Sequence, residues 1–206
     1  MKNIIFDLGG VILNIDYKKT SDAFKLLNID KAIFYNKQEQ HKLFNQLETG
    51  KIKEEDFINR LQVNIKTGNR AQILNAWNAM LLDLPDKRLT TIKSLKTNCK
   101  IFLLSNTNSI HIKKIKKKLG KNKWEEFISL FDKIYLSHII GQRKPNTEVF
   151  NLIIKENNLQ KEETLFIDDS IQHIHAGRKI GINCYHLKKG EDITTLFPDI
   201  IQSKRH

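Results

Sequence analysis

The chain has 206 residues and 24.1 kDa, with 40% hydrophobic and 28% charged residues, the balance of one globular core with room for a modest insertion. No apolar run approaches the roughly 20 residues that span a bilayer, and MKNIIFDLGG meets an acidic residue too early for a secretory leader. A membrane protein is therefore not expected, and the cytoplasm is the expected compartment. The net charge of +12 admits a nucleic-acid binder, but 29 of the 35 basic residues are Lys and they accompany 29 Ile and 19 Asn. All three have A/T-rich codons, so base composition accounts for the excess without any partner.

The first element is a strand over 2–7, KNIIFD. No convincing strand follows until residue 86. Four amphipathic helices are predicted instead, near 17–27, 31–46, 54–65 and 70–82. Phe34, His41 and Phe44, then Phe57, Leu61 and Ile65, then Ile73, Trp77 and Leu81 carry the helical spacing. From 86 the pattern alternates: helix 86–97, strand 99–105, helix 110–119, strand 133–139, helix 147–157, strand 164–169, helix 171–180 and strand 183–187. Pro145 ahead of one helix and Gly181 past another are start and stop signals. Several strands are near-continuous apolar runs, as in a parallel sheet buried on both faces. The expected fold is a doubly wound parallel α/β sheet over 1–15 and 84–206, with 16–83 inserted as a four-helix cap. In the basic stretch 111–123, HIKKIKKKLGKNK, apolar Ile112, Ile115 and Leu119 recur between lysines, so it reads as the solvated face of a helix or as an anion-attracting patch. Cys99 and Cys184 are expected to be free thiols, and the tail 199–206 an ordinary frayed terminus.

Ligands of open α/β sheets bind beyond the carboxyl ends of the strands. Four features fall there: Asp7 before a glycine turn, Ser105-Asn106-Thr107-Asn108, Lys144-Pro145, and Asp168-Asp169. Singly, each has an ordinary explanation, Asp7 or Ser105 as a helix cap and Lys144 as a surface lysine. The adjacent carboxylates Asp168 and Asp169 resist that explanation, because they repel unless a cation relieves them. Three carboxylates, a cation and a donor cluster at one rim suit metal-assisted phosphoryl transfer through an acyl phosphate.

In these motifs the chain resembles the haloacid dehalogenase superfamily, specifically its phosphatases with a helical cap. FDLGGV, LLSNTN, GQRKP and FIDDS occur in family order between Asp7 and about Gly181. The nearest likeness is to α-D-glucose-1-phosphate phosphatases and the phosphatase domain that precedes epoxide hydrolases. The resemblance implies a Mg²⁺-dependent phosphatase of small phosphorylated metabolites such as a hexose 1-phosphate, with an aspartyl-phosphate on Asp7. It implies Mg²⁺ ligation by Asp7, the Gly9 carbonyl and Asp169, and directly or through water by Asp168, phosphate binding by Ser105 and the Asn106 backbone, and charge neutralisation by Lys144. LETGKI (47–52) resembles the family's specificity loop, which makes Glu48 and Lys51 candidate substrate contacts or plain turn residues. One position departs from the family pattern. Most of these phosphatases carry an Asp general acid two residues past the nucleophile, and here Gly9 stands there, as in the glucose-1-phosphate branch. His173 and His175, two apart on a helix, point to different faces and make a poor metal pair. A metal-free dehalogenase would leave Asp168-Asp169 unexplained. The alternative from another class is a catalytically weak phospho-ligand or nucleic-acid binder. A monomer or weak homodimer, with no specific nucleic acid and no membrane, completes the expectation.

Overall fold

A computed structural model of the protein describes residues 1–28, 42–63, 65 and 68–197. Five strands, β1 (Asn3–Phe6), β2 (Lys100–Ser105), β3 (Lys133–Leu136), β4 (Thr164–Asp168) and β5 (Asn183–His186), form one sheet in the order β3-β2-β1-β4-β5. Every pairing is parallel. Strand β1 is central and wholly buried. Its side chains alternate between two cores, as the two-residue period of a strand requires. Ile4 and Phe6 face one cluster with Ile101 and Leu103, while Ile5 faces the other with Phe102, Leu104 and Phe166.

Helices cover both faces. On the Ile5 side lie α8 (Thr147–Glu156), through Val149, Phe150 and Ile153, and α9 (Ile171–Lys179), through Ile174. On the Ile4 side lie α5 (Asp86–Leu95), through Leu89, Ile92 and Leu95, and α6 (Ser109–Ser129), through Ile110, Ile115 and Phe127. The doubly wound parallel sheet is the one expected. Several boundaries shift by a few residues, and two shifts bear on the site. Helix α6 does not stop at Gly120 but turns there, at φ 74°, and continues through Trp124 and Phe127. Strand β3 ends at Leu136, and the expected strand residues 137–139 fall in a short helix, α7 (Ser137–Ile140), whose first hydroxyl, on Ser137, bonds the Thr107 backbone.

Between β1 and α5 lie α1 (Tyr17–Leu26), α2 (Lys42–Glu48), α3 (Glu54–Val63) and α4 (Arg70–Asn78), with no strand longer than a single bridge among the described residues. The amino-terminal part of the helix predicted near 31–46, with Phe34 and His41, and the tail 199–206 lie outside the described residues. Buried Trp77 gathers the four helices: its ring stacks on Phe44 at 4.8 Å and meets Phe57 at 5.0 Å and Phe24 at 6.4 Å. The two chain crossings to the sheet run side by side, with Asn14 and Leu82 exchanging backbone bonds across to Asp83 and Asn14, and Asp16 bonding to Met80. No helix among the described residues is long and apolar enough to cross a membrane.

Candidate active site

Strand register assembles the site. Phe6 pairs with Leu103 on one side and Ile167 on the other, so the next residue, Asp7, stands level with Leu104 and Asp168 at the carboxyl edge. Lys144, from the loop after α7, closes the triangle. Its side chain is wholly buried, and its Nζ donates to Asp7 Oδ1 at 2.6 Å, Asp168 Oδ2 at 2.6 Å and the Leu104 carbonyl at 3.0 Å. The surface-lysine explanation fails at this residue.

Asn106 holds that lysine in place. Its amide oxygen accepts from the Lys144 N–H at 2.9 Å, and its amide nitrogen donates to the Lys144 carbonyl at 2.8 Å. The side chain is thereby committed to positioning, which leaves its backbone for a ligand. Thr107 is tied to Ser137 in the same reciprocal way. Asn108, fully buried, accepts from the His111 N–H and from the Trp77 indole. Sequence reasoning missed Ser137 and His111 as supports, since nothing local marks a side chain that bonds 30 residues away, and it grouped Asn108 with the donor cluster although its side chain caps α6.

Asp168 is saturated. Besides Lys144, it accepts from the Ser170 N–H at 2.7 Å and from His173 Nδ1 at 2.9 and 3.0 Å. His173 is thus a satisfied histidine with a definite job, aligning Asp168. Burial pushes the Asp168 carboxyl up, but Lys144 and His173 outweigh it and hold the group well below the usual carboxylate range. Asp7 goes the other way. Burial, reinforced by Asp168 and Asp169, overcomes the pull of Lys144 and raises its carboxyl to about 7. Lys144 loses some basicity to burial and regains more from the two aspartates.

Carboxylate oxygens of Asp7, Asp168 and Asp169 all lie within 4.8 Å of one another. One lysine against three carboxylates leaves the cluster short of positive charge. A hard, oxygen-seeking divalent cation fits such a donor set. The turn between nucleophile candidate and cluster depends on Gly10, at φ 85°, where a Cβ would fall 2.4 Å from Asp169 Oδ2. Gly9 has no such restriction; a Cβ there would meet only Ile15 Cδ1, at 3.1 Å. The backbone barrier to a side chain at this turn therefore lies at Gly10.

Beneath the inserted helices a small chamber of about 50 Å³ is lined by Gly9, Tyr17, Glu48, Ser105 and Asn106 among others. Past Ile15 and Tyr17, a cleft of about 600 Å³ opens beside Gly10 and Asp169 and is walled by Lys87 and Lys188. Of the two specificity-loop candidates, Glu48 is buried and lines the chamber, whereas Lys51 is exposed and lines neither cavity.

Comparison with known proteins identifies the family. The chain is 32% identical over 196 residues to D-ribitol-5-phosphate phosphatase of Bacteroides thetaiotaomicron, covering 93% of this chain and 94% of that one. Among solved structures, a haloacid dehalogenase family enzyme of the same organism, in complex with magnesium and inorganic phosphate, superposes with a TM-score of 0.83 at 33% identity, over 96% and 99% of the two chains. A HAD-like hydrolase of Porphyromonas gingivalis gives 0.84 at 29% identity, over 100% and 98%. Residues 1–181, which carry all four motifs and every group at the Asp7 cluster, match the haloacid dehalogenase-like hydrolases, and the chain belongs to that family.

Proposed function

We propose that this hydrolase is a magnesium-dependent phosphatase of small phosphorylated metabolites of the sugar and polyol class, with Asp7 as nucleophile. The observation that carries the reading is Lys144 Nζ bridging Asp7 and Asp168 in a fully buried site beside Asp169. An Asp7 oxygen attacks phosphorus, the bond from phosphorus to the ester oxygen breaks, and water then hydrolyses the aspartyl phosphate to return Asp7 and phosphate. Lys144 balances charge on Asp7 and the transferred group, and Ser105 with the Asn106 backbone holds its oxygens. Asp7, Asp169 and the Gly9 carbonyl, with Asp168 acting through water, would hold Mg²⁺, which supplies Lewis-acid polarisation of the phosphoryl oxygens. Residues 16–83 act as the cap, closing the chamber over the phosphoryl site. The neighbouring cleft has the volume of a small-metabolite pocket.

Gly9 narrows the leaving group. Without a carboxyl at that position, the ester oxygen departs with little proton assistance, which favours an anomeric sugar 1-phosphate over a primary alkyl phosphate. The similarity to a ribitol-5-phosphate phosphatase favours a second reading, a pentitol 5-phosphate. Release of phosphate from an aryl phosphate with Mg²⁺, abolished by chelator, tests the activity; relative kcat/KM on glucose 1-phosphate, glucose 6-phosphate and ribitol 5-phosphate separates the two. Absence of metal-dependent release from every phosphate in a broad panel would overturn the reading and promote phospho-ligand binding without turnover.

A further inference from the structure

The seam between α2 and the loop that carries Lys144 holds charged groups that the reaction above does not use. Glu48, at the end of α2, is 2% exposed and lines the chamber with Ser105 and Asn106. Its Oε2 lies 3.2 Å from Nη2 of Arg143, whose side chain is itself only 16% exposed. Nη1 of the same guanidinium bonds to Asn45, one turn back on α2. Arg143 is the residue immediately before Lys144, and Asn106 clamps the backbone of that loop. The guanidinium therefore ties α2 to the segment that delivers the buried lysine.

The seam is close-packed yet polar. Gly50, at φ 66°, follows α2, and a Cβ there would fall 2.3 Å from the His138 carbonyl. Arg143 Nε, Gln142 Oε1 and His138 Nδ1 are buried there without a hydrogen-bond partner among the described residues, and Glu48 Oε2 meets Arg143 as an ion pair at 3.2 Å rather than through an aligned hydrogen bond. Buried polar atoms are costly to leave unpaired, so a seam this rich in them is not arranged for stability alone. A buried ion pair is likewise a poor source of stability, because desolvation offsets its attraction, but it fixes orientation well.

We propose that Arg143 is a positioning residue for substrate specificity: it orients the Glu48 carboxylate toward the chamber, where Glu48 accepts hydrogen bonds from hydroxyl groups next to the phosphorylated carbon. The proposal rests on the phosphatase reading and adds to it that the leaving group is hydroxylated close to the ester. A carboxylate accepting from a hydroxyl is among the stronger hydrogen bonds, and its strength depends on aim. Loss of Arg143 leaves Lys144 anchored by Asn106, Asp7 and Asp168, so the damage should track the substrate's hydroxyls.

The test compares Arg143→Met, Arg143→Lys, Glu48→Gln and the double variant Glu48→Gln/Arg143→Met on glucose 1-phosphate, ribitol 5-phosphate and phenyl phosphate, which has no hydroxyl. Arg143→Met should lower kcat/KM on the hydroxylated substrate that wild type prefers by about tenfold or more, chiefly through KM, with at most about a threefold loss on phenyl phosphate. Arg143→Lys should recover only part, since one ammonium cannot reach both Glu48 and Asn45. The double variant should be little worse than the worse single one, because the two residues act as a unit. Equal losses on phenyl and sugar phosphates, or strictly additive losses, would reduce the pair to a structural tie and overturn the proposal. Should Arg143→Met fold poorly, Glu48→Gln and Arg143→Lys carry the same contrast. Wild type that turned over none of the three would sink the phosphatase reading instead; calorimetric Kd values for the same phosphates would then decide the Arg143 question by the same contrast.

Discussion

Gly9 and Gly10 are adjacent but do different work. Gly10 is required by the backbone: its positive φ and its approach to Asp169 leave no space for a side chain. Gly10→Ala should therefore abolish activity and lower stability by about 1–2 kcal/mol, read by turnover and by denaturation. Gly9 is replaceable at the backbone, needing only that Ile15 yield a few tenths of an ångström. General acid catalysis contributes about 10²–10⁴-fold, most for poor leaving groups. Gly9→Asp is accordingly expected to raise the rate on glucose 6-phosphate relative to glucose 1-phosphate, and an unchanged ratio would mean that another acid already serves. Glu48 and Asp16 are described residues from which to start; His41 lies outside them. Asp7→Asn should lower kcat by several orders of magnitude with the fold intact, since a covalent route is lost rather than one hydrogen bond. Asp169→Ala should raise the Mg²⁺ concentration needed for half-maximal rate, while metal-free thermal stability holds or rises as carboxylate repulsion is relieved.

Among the elements, α4 and the start of α6 are joined through one buried imidazole. His111 stacks on Trp77 at 4.9 Å, its Nε2 reaches the Trp77 carbonyl at 3.2 Å, and its Nδ1 meets the Asn108 amide nitrogen at 3.2 Å. An amide nitrogen only donates and a carbonyl only accepts, so the neutral tautomer with Nε2–H satisfies both contacts. Burial lowers its pKa to about 4, against a smaller upward pull from the Trp77 carbonyl. In the unfolded chain the ring binds a proton near pH 6.5, so that state binds more protons between about 6.5 and 4. Stability contributed by neutral His111 is complete above that window and is lost as pH falls through it, by about 3 kcal/mol at most. Asp7 has the opposite sign, its raised folded pKa adding stability on acidification. The difference between wild type and His111→Gln isolates the imidazole: denaturant midpoints should converge as pH drops from 7.5 to 5. A constant gap would mean that the ring is protonated in the folded protein.

At the scale of the whole molecule, several lysines of the basic stretch 111–123 have local ties. In the basic stretch, Lys113 pairs with Glu54 of α3, Lys118 donates to the Leu81 and Leu82 carbonyls, and Lys123 pairs with Asp86. These lysines fasten α6 to α3 and to the returning chain crossing. Binding to duplex DNA should be weak and vanish by about 0.15 M salt, as counterion release predicts for scattered contacts; retention at that salt in a filter or fluorescence assay would restore the nucleic-acid reading. The sheet and the order of its helices were legible in the chain, because strands buried on both faces must be apolar runs and amphipathic helices must repeat every three to four residues. Asp7, Ser105, Lys144 and Asp168-Asp169 were legible too, as polar residues at the ends of such runs. Not legible were the groups whose meaning is a partner far along the chain: Ser137 on Thr107, Asn106 on Lys144, His173 on Asp168, and Arg143 on Glu48, 95 positions back. Periodicity fixes which face of an element is apolar and says nothing of which polar atom it meets. Only tertiary packing, by removing water from Lys144 and its aspartates, decided that a lysine which composition assigns to the surface is the charge at the centre of the site.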